Sequence, residues 1–147
     1  MAVTVLDVAQ LIGARMQGGT AEQAQAPITE VGLNSAELPA GALFAAVPGT
    51  RVHGARFAAD TAAAAILTDE AGWGLLSAAG ETRPVLVIDD VRSVLGVAAA
   101  AVYGDPSSQL TVIGITGTSG KTTTSYMLEA GLLAAGYRVG LIGRAHV

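Results

Sequence analysis

Residues 114–124 read GITGTSGKTTT. Within them Gly117, Thr118, Ser119, Gly120, Lys121, Thr122 and Thr123 have the types and spacing of a phosphate cradle. Glycine at 117 and 120 lets the backbone curl so that successive N–H groups point inward at anionic oxygens. A helix starting near Lys121 would aim its positive end at the same place. Lys121 then supplies a mobile cation for the β- and γ-phosphates, and the Thr122 hydroxyl is the candidate ligand for Mg²⁺. The chemistry is recognition of nucleotide phosphates with their magnesium. A strict G-x-x-x-x-G-K-[ST] pattern would place glycine at 115, where this chain has Ile115. The alternative reading, a glycine-rich turn that only joins strand to helix, leaves the adjacent Lys-Thr pair without a purpose.

Such a loop needs a strand before it and a helix after it. TVIGIT, residues 111–116, is read as that strand, and residues 121–135 as the helix. YRVGLIG, residues 137–143, is read as a second strand. Upstream, VLDVAQLI has apolar residues near helical spacing, with Thr4 and Asp7 placed as a capping pair. PITEVGLNS, GALFAA, AILTD and RPVLVIDD are read as short apolar strands. Helices are expected over HGARFAADTAAA, over EAGWGLLSAAG and from about Val91 to Tyr103. Alternating strands and helices predict an α/β sheet. YGDPSSQL concentrates turn formers and predicts a linker. The expected domains are therefore 1–104, a linker over 105–110, and 111–147. The last of these is one β-loop-α-β unit, too small to close a sheet.

Composition narrows the partners. Of the 147 residues, 51% are hydrophobic and 14% charged, which argues against disorder. The net charge of −4 leaves no general footprint for nucleic acid or an anionic membrane, so polyanion binding must be local. The chain has no cysteine, which excludes disulfides and thiolate metal sites. No signal peptide or membrane-length apolar run is visible, so a cytoplasmic, monomeric protein is the expectation. His53 is read as a surface-loop residue and His146 as part of the tail. Trp73 is read as packing, and Asp89-Asp90 as a helix N-terminus or an acid pair.

The loop ITGTSGKTTT resembles the ATP loop of the Mur ligases and their folylpolyglutamate synthetase relatives, which also lack the leading glycine; Ser119 stands where they commonly carry Asn. LNSAELPAGALFAAVPGTRVHGARF, residues 33–57, is similar to a block shared by the MurE and MurF amino-terminal domains. YGDPSSQL followed by the ATP strand is similar to the MurE junction. The resemblance covers nearly the whole chain. It implies a small UDP-binding amino-terminal domain followed by the first β-loop-α-β unit of a P-loop central domain. By that resemblance Leu33, Ser35, Thr50, Arg51 and Val52 would contact the UDP end of the sugar nucleotide. Ser35 as a turn residue and Arg51 as a solvated charge are the plainer alternatives. The family's Asp-Ser-Arg reads Asn34-Ser35-Ala36 here.

The family's full-length members use ATP to phosphorylate the carboxylate of UDP-MurNAc-dipeptide, after which an amino acid's amine attacks the acyl phosphate. In the MurE branch the third residue, diaminopimelate or lysine, is added during peptidoglycan synthesis. The Mg²⁺-binding Glu, the carbamylated Lys and the carboxy-terminal domain of that machinery find no counterpart in residues 1–147, so no catalytic residue is assigned and no turnover is expected from this chain alone. The competing readings are a stand-alone UDP-sugar-binding module and the corresponding portion of a MurF-type ligase.

Overall fold

The structure, a computed structural model, describes residues 2–143. The tail 144–147, with His146, lies outside the described residues. The chain divides into two compact units, Met1–Leu110 and Thr111–Val147.

The first unit is a five-stranded sheet: β1 (Arg15–Gln17), β2 (Glu30–Gly32), β3 (Ala42–Ala46), β4 (Ala65–Thr68) and β5 (Val85–Val87). Their spatial order is β1-β5-β4-β3-β2; β2 to β5 run parallel, and β1 closes the β5 edge antiparallel. Each step from β2 to β5 moves the same way across the sheet. Right-handed crossovers therefore place all three connections on one face. That face carries the 3₁₀ segment Gly54–Asp60, helix α3 (Glu70–Ala78) and Leu38, packed on Ala42, Phe44, Ala46, Ile66, Val85 and Val87. Helices α1 (Val5–Ile12) and α4 (Val91–Tyr103) cover the other face, over Leu43, Ala45, Ala65, Leu67 and Leu86. Because both faces are covered, β3, β4 and β5 are buried at every position, and their sequences are apolar runs without alternation. A one-turn helix, α2 (Ala21–Ala24), precedes β2.

Local signals set the helix ends. Thr4 and Asp7 form a capping box on α1, and hydrogen bonds from Thr4 hold the Asp7 carboxyl below its ordinary range. Asp90 Oδ1 accepts the Arg92 and Ser93 amides at the start of α4, so the Asp89-Asp90 pair contributes a helix cap. Trp73 packs against the α3-side core, as read.

Three readings change. The run 54–60 is 3₁₀ rather than α-helical. The Ala58 carbonyl, which an α-helix would bond four residues on, instead accepts from Arg83 Nη2 at 2.7 Å and from the Thr61 amide. The strands read over 111–116 and 137–143 form no ladder among the described residues. Strand conformation is held by hydrogen-bonded partners, which neither segment has among the described residues. The helix read from Lys121 is present as α5 (Lys121–Ala134). Finally, the linker read over 105–110 contains a 3₁₀ turn, Pro106–Gln109, after a left-handed Gly104 cap on α4.

Candidate functional site

Parallel strands send their carboxyl ends to one edge, where open α/β sheets bind ligands. β2 ends at Gly32 and β3, its neighbour, at Ala46. Leu33 and Ser35 follow the first, and Thr50, Arg51 and Val52 follow the second, so the fold brings these two sequence blocks to the same edge. Leu33 is 54% exposed and Val52 41%. Thr50 and Arg51 are exposed and Ser35 is half-buried. Asn34 Oδ1 accepts the Ala36 amide at 3.3 Å, and the Asn34 carbonyl accepts from Glu37. Asn34 thus shapes the turn that presents Ser35, in a position where the resemblance has a carboxylate.

β4 and β5 send further groups to this edge. Asp69 caps α3, its Oδ1 accepting the Gly72 amide at 2.8 Å. His53, read from sequence as a surface-loop residue, is instead half-buried, with Nε2 3.0 Å from Asp69 Oδ1. The sequence hint that could have exposed this pair is weak: an Asp three residues before Gly72, the mark of a helix cap. Its partner lies sixteen residues upstream.

A separate ionic cluster has a structural role. Arg83 grips Glu81 through Nε and Nη2 and also donates to the carbonyls of Ala58, Thr61 and Ala63. The side-chain bond from Arg83 holds the Glu81 carboxyl below its ordinary 4.5, against the opposing effect of burial. A cavity of about 410 Å³ beside it is lined by Ala55, Ala58, Leu76 and Glu81 among others. It touches none of the residues read as UDP contacts.

In the second unit the loop residues Gly117, Thr118, Ser119, Gly120, Lys121, Thr122 and Thr123 are all exposed. Gly120 caps α5 with φ of 75°, a left-handed conformation that glycine adopts without strain, and Gly117 has φ of 154°. No side chain caps α5, and Thr124 is the first residue to bond back into the helix, through the Gly120 carbonyl. The amides of Lys121, Thr122 and Thr123 therefore remain as donors at the positive end of the helix. Lys121 Nζ folds back onto the Gly117 carbonyl, which sets the ammonium over the loop. This donor set fits a polyphosphate. For magnesium, Thr122 would be a single protein ligand beside phosphate and water, in keeping with that ion's habit. Among the described residues no group of three or more His, Asp or Glu could hold a metal ion, and no helix is long and apolar enough to cross a membrane.

Comparison with known proteins adds identity to geometry. Residues 27–103 match the family model described as "Mur ligase family, catalytic domain". The matched stretch includes Leu33, Ser35, Thr50, Arg51 and Val52 but stops short of the loop at 117–123. The chain is 56% identical to the UDP-N-acetylmuramoyl-L-alanyl-D-glutamate--2,6-diaminopimelate ligase of Corynebacterium glutamicum, over 95% of its own length and 29% of the relative's. It is 53% identical to the enzyme of that name from Corynebacterium efficiens, over 97% and 28%. The Streptomyces coelicolor enzyme is 46% identical, over 97% and 27%. The chain thus spans less than a third of the length of the curated relatives it matches. The family match takes in more than half of the residues, and the chain belongs to the Mur ligase family.

Proposed function

We propose that this chain is a portion of an ATP-dependent ligase that adds the third amino acid, diaminopimelate or lysine, to UDP-MurNAc-dipeptide in peptidoglycan synthesis in the cytoplasm. The names of its relatives carry the diaminopimelate assignment. On this reading residues 1–104 bind the sugar nucleotide, 105–110 link, and 111–147 open the ATP-binding domain. Leu33 would offer an apolar surface to the uracil ring, Ser35 and Thr50 hydroxyls to its polar edge or to phosphate, and Arg51 a planar cation to the pyrophosphate. The observation that carries the reading is that β2 and β3 end side by side, so that 33–35 and 50–52 leave one edge of the sheet.

In the second unit, the amides of residues 121–123 and the Lys121 ammonium would bind the β- and γ-phosphates of ATP, and Thr122 would orient the accompanying Mg²⁺. Bound there, MgATP supplies the phosphoryl group that activates the dipeptide's carboxylate. The Lys121 ammonium has three N–H donors, so its bond to the Gly117 carbonyl leaves two for phosphate oxygens. Rate enhancement of this kind depends on donors held rigidly together. None of the described residues of 111–143 is buried, and we expect no turnover by this chain alone.

Isothermal titration tests both halves. UDP-MurNAc-dipeptide should bind measurably and MgATP weakly, and Lys121→Ala should remove any MgATP signal while sparing the other. Absence of UDP-ligand binding would overturn the assignment of residues 1–104. Phosphate release that depends on diaminopimelate or lysine, with MgATP and UDP-MurNAc-dipeptide present, would overturn the expectation of inactivity.

A further inference from the structure

The loop carrying Thr50, Arg51 and Val52 is tied at its base to two other strand ends. Pro48 and His53 face each other in an antiparallel bridge, and the Gly54 amide donates to the Val47 carbonyl at 2.9 Å. From the β5 side, Arg92 in the first turn of α4 donates Nη2 to the Pro48 carbonyl at 3.2 Å. From the β4 side, Asp69 meets His53 at 3.0 Å, with side chains only 18% and 13% exposed.

The chemistry of this last tie is specific. His53 Nδ1 accepts the Ala55 amide at 3.1 Å, so the proton of the neutral ring sits on Nε2 and is donated to Asp69 Oδ1. That same oxygen caps α3 through the Gly72 amide. The approach is close: a Cβ at Gly72 would overlap Thr68 Oγ1 and come within 2.6 Å of His53 Cε1. Only glycine at 72 lets the imidazole seat against the first turn of α3. Thr68 adds a tie of its own, donating Oγ1 to the Ala46 carbonyl at 3.0 Å where β3 ends.

We propose that His53 and Asp69 are positioning residues that hold the 48–53 loop in its ligand-ready shape, so that Thr50, Arg51 and Val52 meet the UDP end of the sugar nucleotide without first being ordered. The inference rests on the assignment of residues 50–52 to that ligand. A loop that is free before binding must be ordered at the moment of binding, and that cost is taken from affinity. A loop already fixed by a buried pair avoids it.

Two substitutions cut the tie while leaving each cap in place. His53→Asn keeps an oxygen for the Ala55 amide but is too short to reach Asp69. Asp69→Ser keeps an oxygen for the Gly72 amide but releases the imidazole. Titration of the whole chain with UDP-MurNAc-dipeptide should show each variant weakened by about tenfold, with the double variant no weaker than either single one. Melting temperatures should stay close to wild type, and the ¹⁵N amide resonances of Thr50, Arg51 and Val52 should broaden in both free variants. Glu22→Gln, exposed in α2 ahead of β2, should bind as wild type does. Undiminished binding by both tie variants would overturn the inference and leave the UDP site standing, as would an equal loss in Glu22→Gln. No binding by the wild-type chain would instead sink the UDP assignment itself.

Discussion

ALFAA at 42–46 and TVIGIT at 111–116 are both short and apolar, yet they end differently. The first is β3, paired on both sides and buried at every position. The second forms no ladder, and Val112 and Ile113 are 72% and 53% exposed. Apolar content alone does not make a strand. β3 persists because β2 and β4 satisfy its backbone and because layers on both faces take its side chains from water. The first unit is a finished core with an open carboxyl edge. The second is a well-formed loop and helix with little packed around them.

This contrast predicts where mutations will hurt. Phe44→Ala should cost the most, about 4 kcal/mol in urea-induced unfolding, because the cavity lies in a sheet buried on both faces. The equivalent truncation Ile113→Ala should change the same measurement by less than about 0.5 kcal/mol. A large effect at Ile113 would mean that the second unit has a core of its own in solution.

Arg83→Ala should come next, at about 3 kcal/mol, since it strands Glu81 and three backbone carbonyls in a partly buried place. The pair also makes a prediction about acid. The Glu81 carboxyl titrates below its ordinary 4.5 when folded, so the unfolded chain takes up the proton first. Its contribution is therefore complete above about 4.5 and is lost as pH falls through the lower folded value. Unfolding measured across that acid range should show a slope that Arg83→Ala reduces.

Gly72→Ala should cost about 2 kcal/mol by forcing α3 away from Thr68 and His53, and should weaken UDP-ligand binding in parallel. Thr4→Ala, which removes one half of the α1 capping box, should cost about 1 kcal/mol in thermal unfolding. Neither change should alter the amide exchange of residues 111–120. Coupled exchange there would join two regions that the fold describes as separate units.

Much was legible from residue order because the relevant physics is short in range. The Thr4-Asp7 box, the Asp90 cap, the buried strands at 42–46, 65–68 and 85–87, and α5 starting at Lys121 all depend on groups within a few positions of each other. The glycine turn at 117–120 that opens α5 was legible for the same reason: its residues are chain neighbours. What sequence could not supply were bonds whose partners are distant. β1 is a polar Arg-Met-Gln stretch that becomes a strand only because the β5 edge is open beside it. The 3₁₀ form of 54–60 follows from a guanidinium some twenty-five residues downstream that takes the Ala58 carbonyl.

By itself the sequence determined the α/β class, the strands at 42–46, 65–68 and 85–87, the helices α1, α3, α4 and α5, and the glycine-rich turn before Lys121, since each is written in neighbouring side chains and their periodicity. Only the tertiary structure decided that residues 33–35 and 50–52 share an edge, that His53 is fastened to Asp69, and that the 111–116 run remains unpaired. Those outcomes turn on which backbones pair and which side chains can reach across the sheet, and chain neighbours do not encode that.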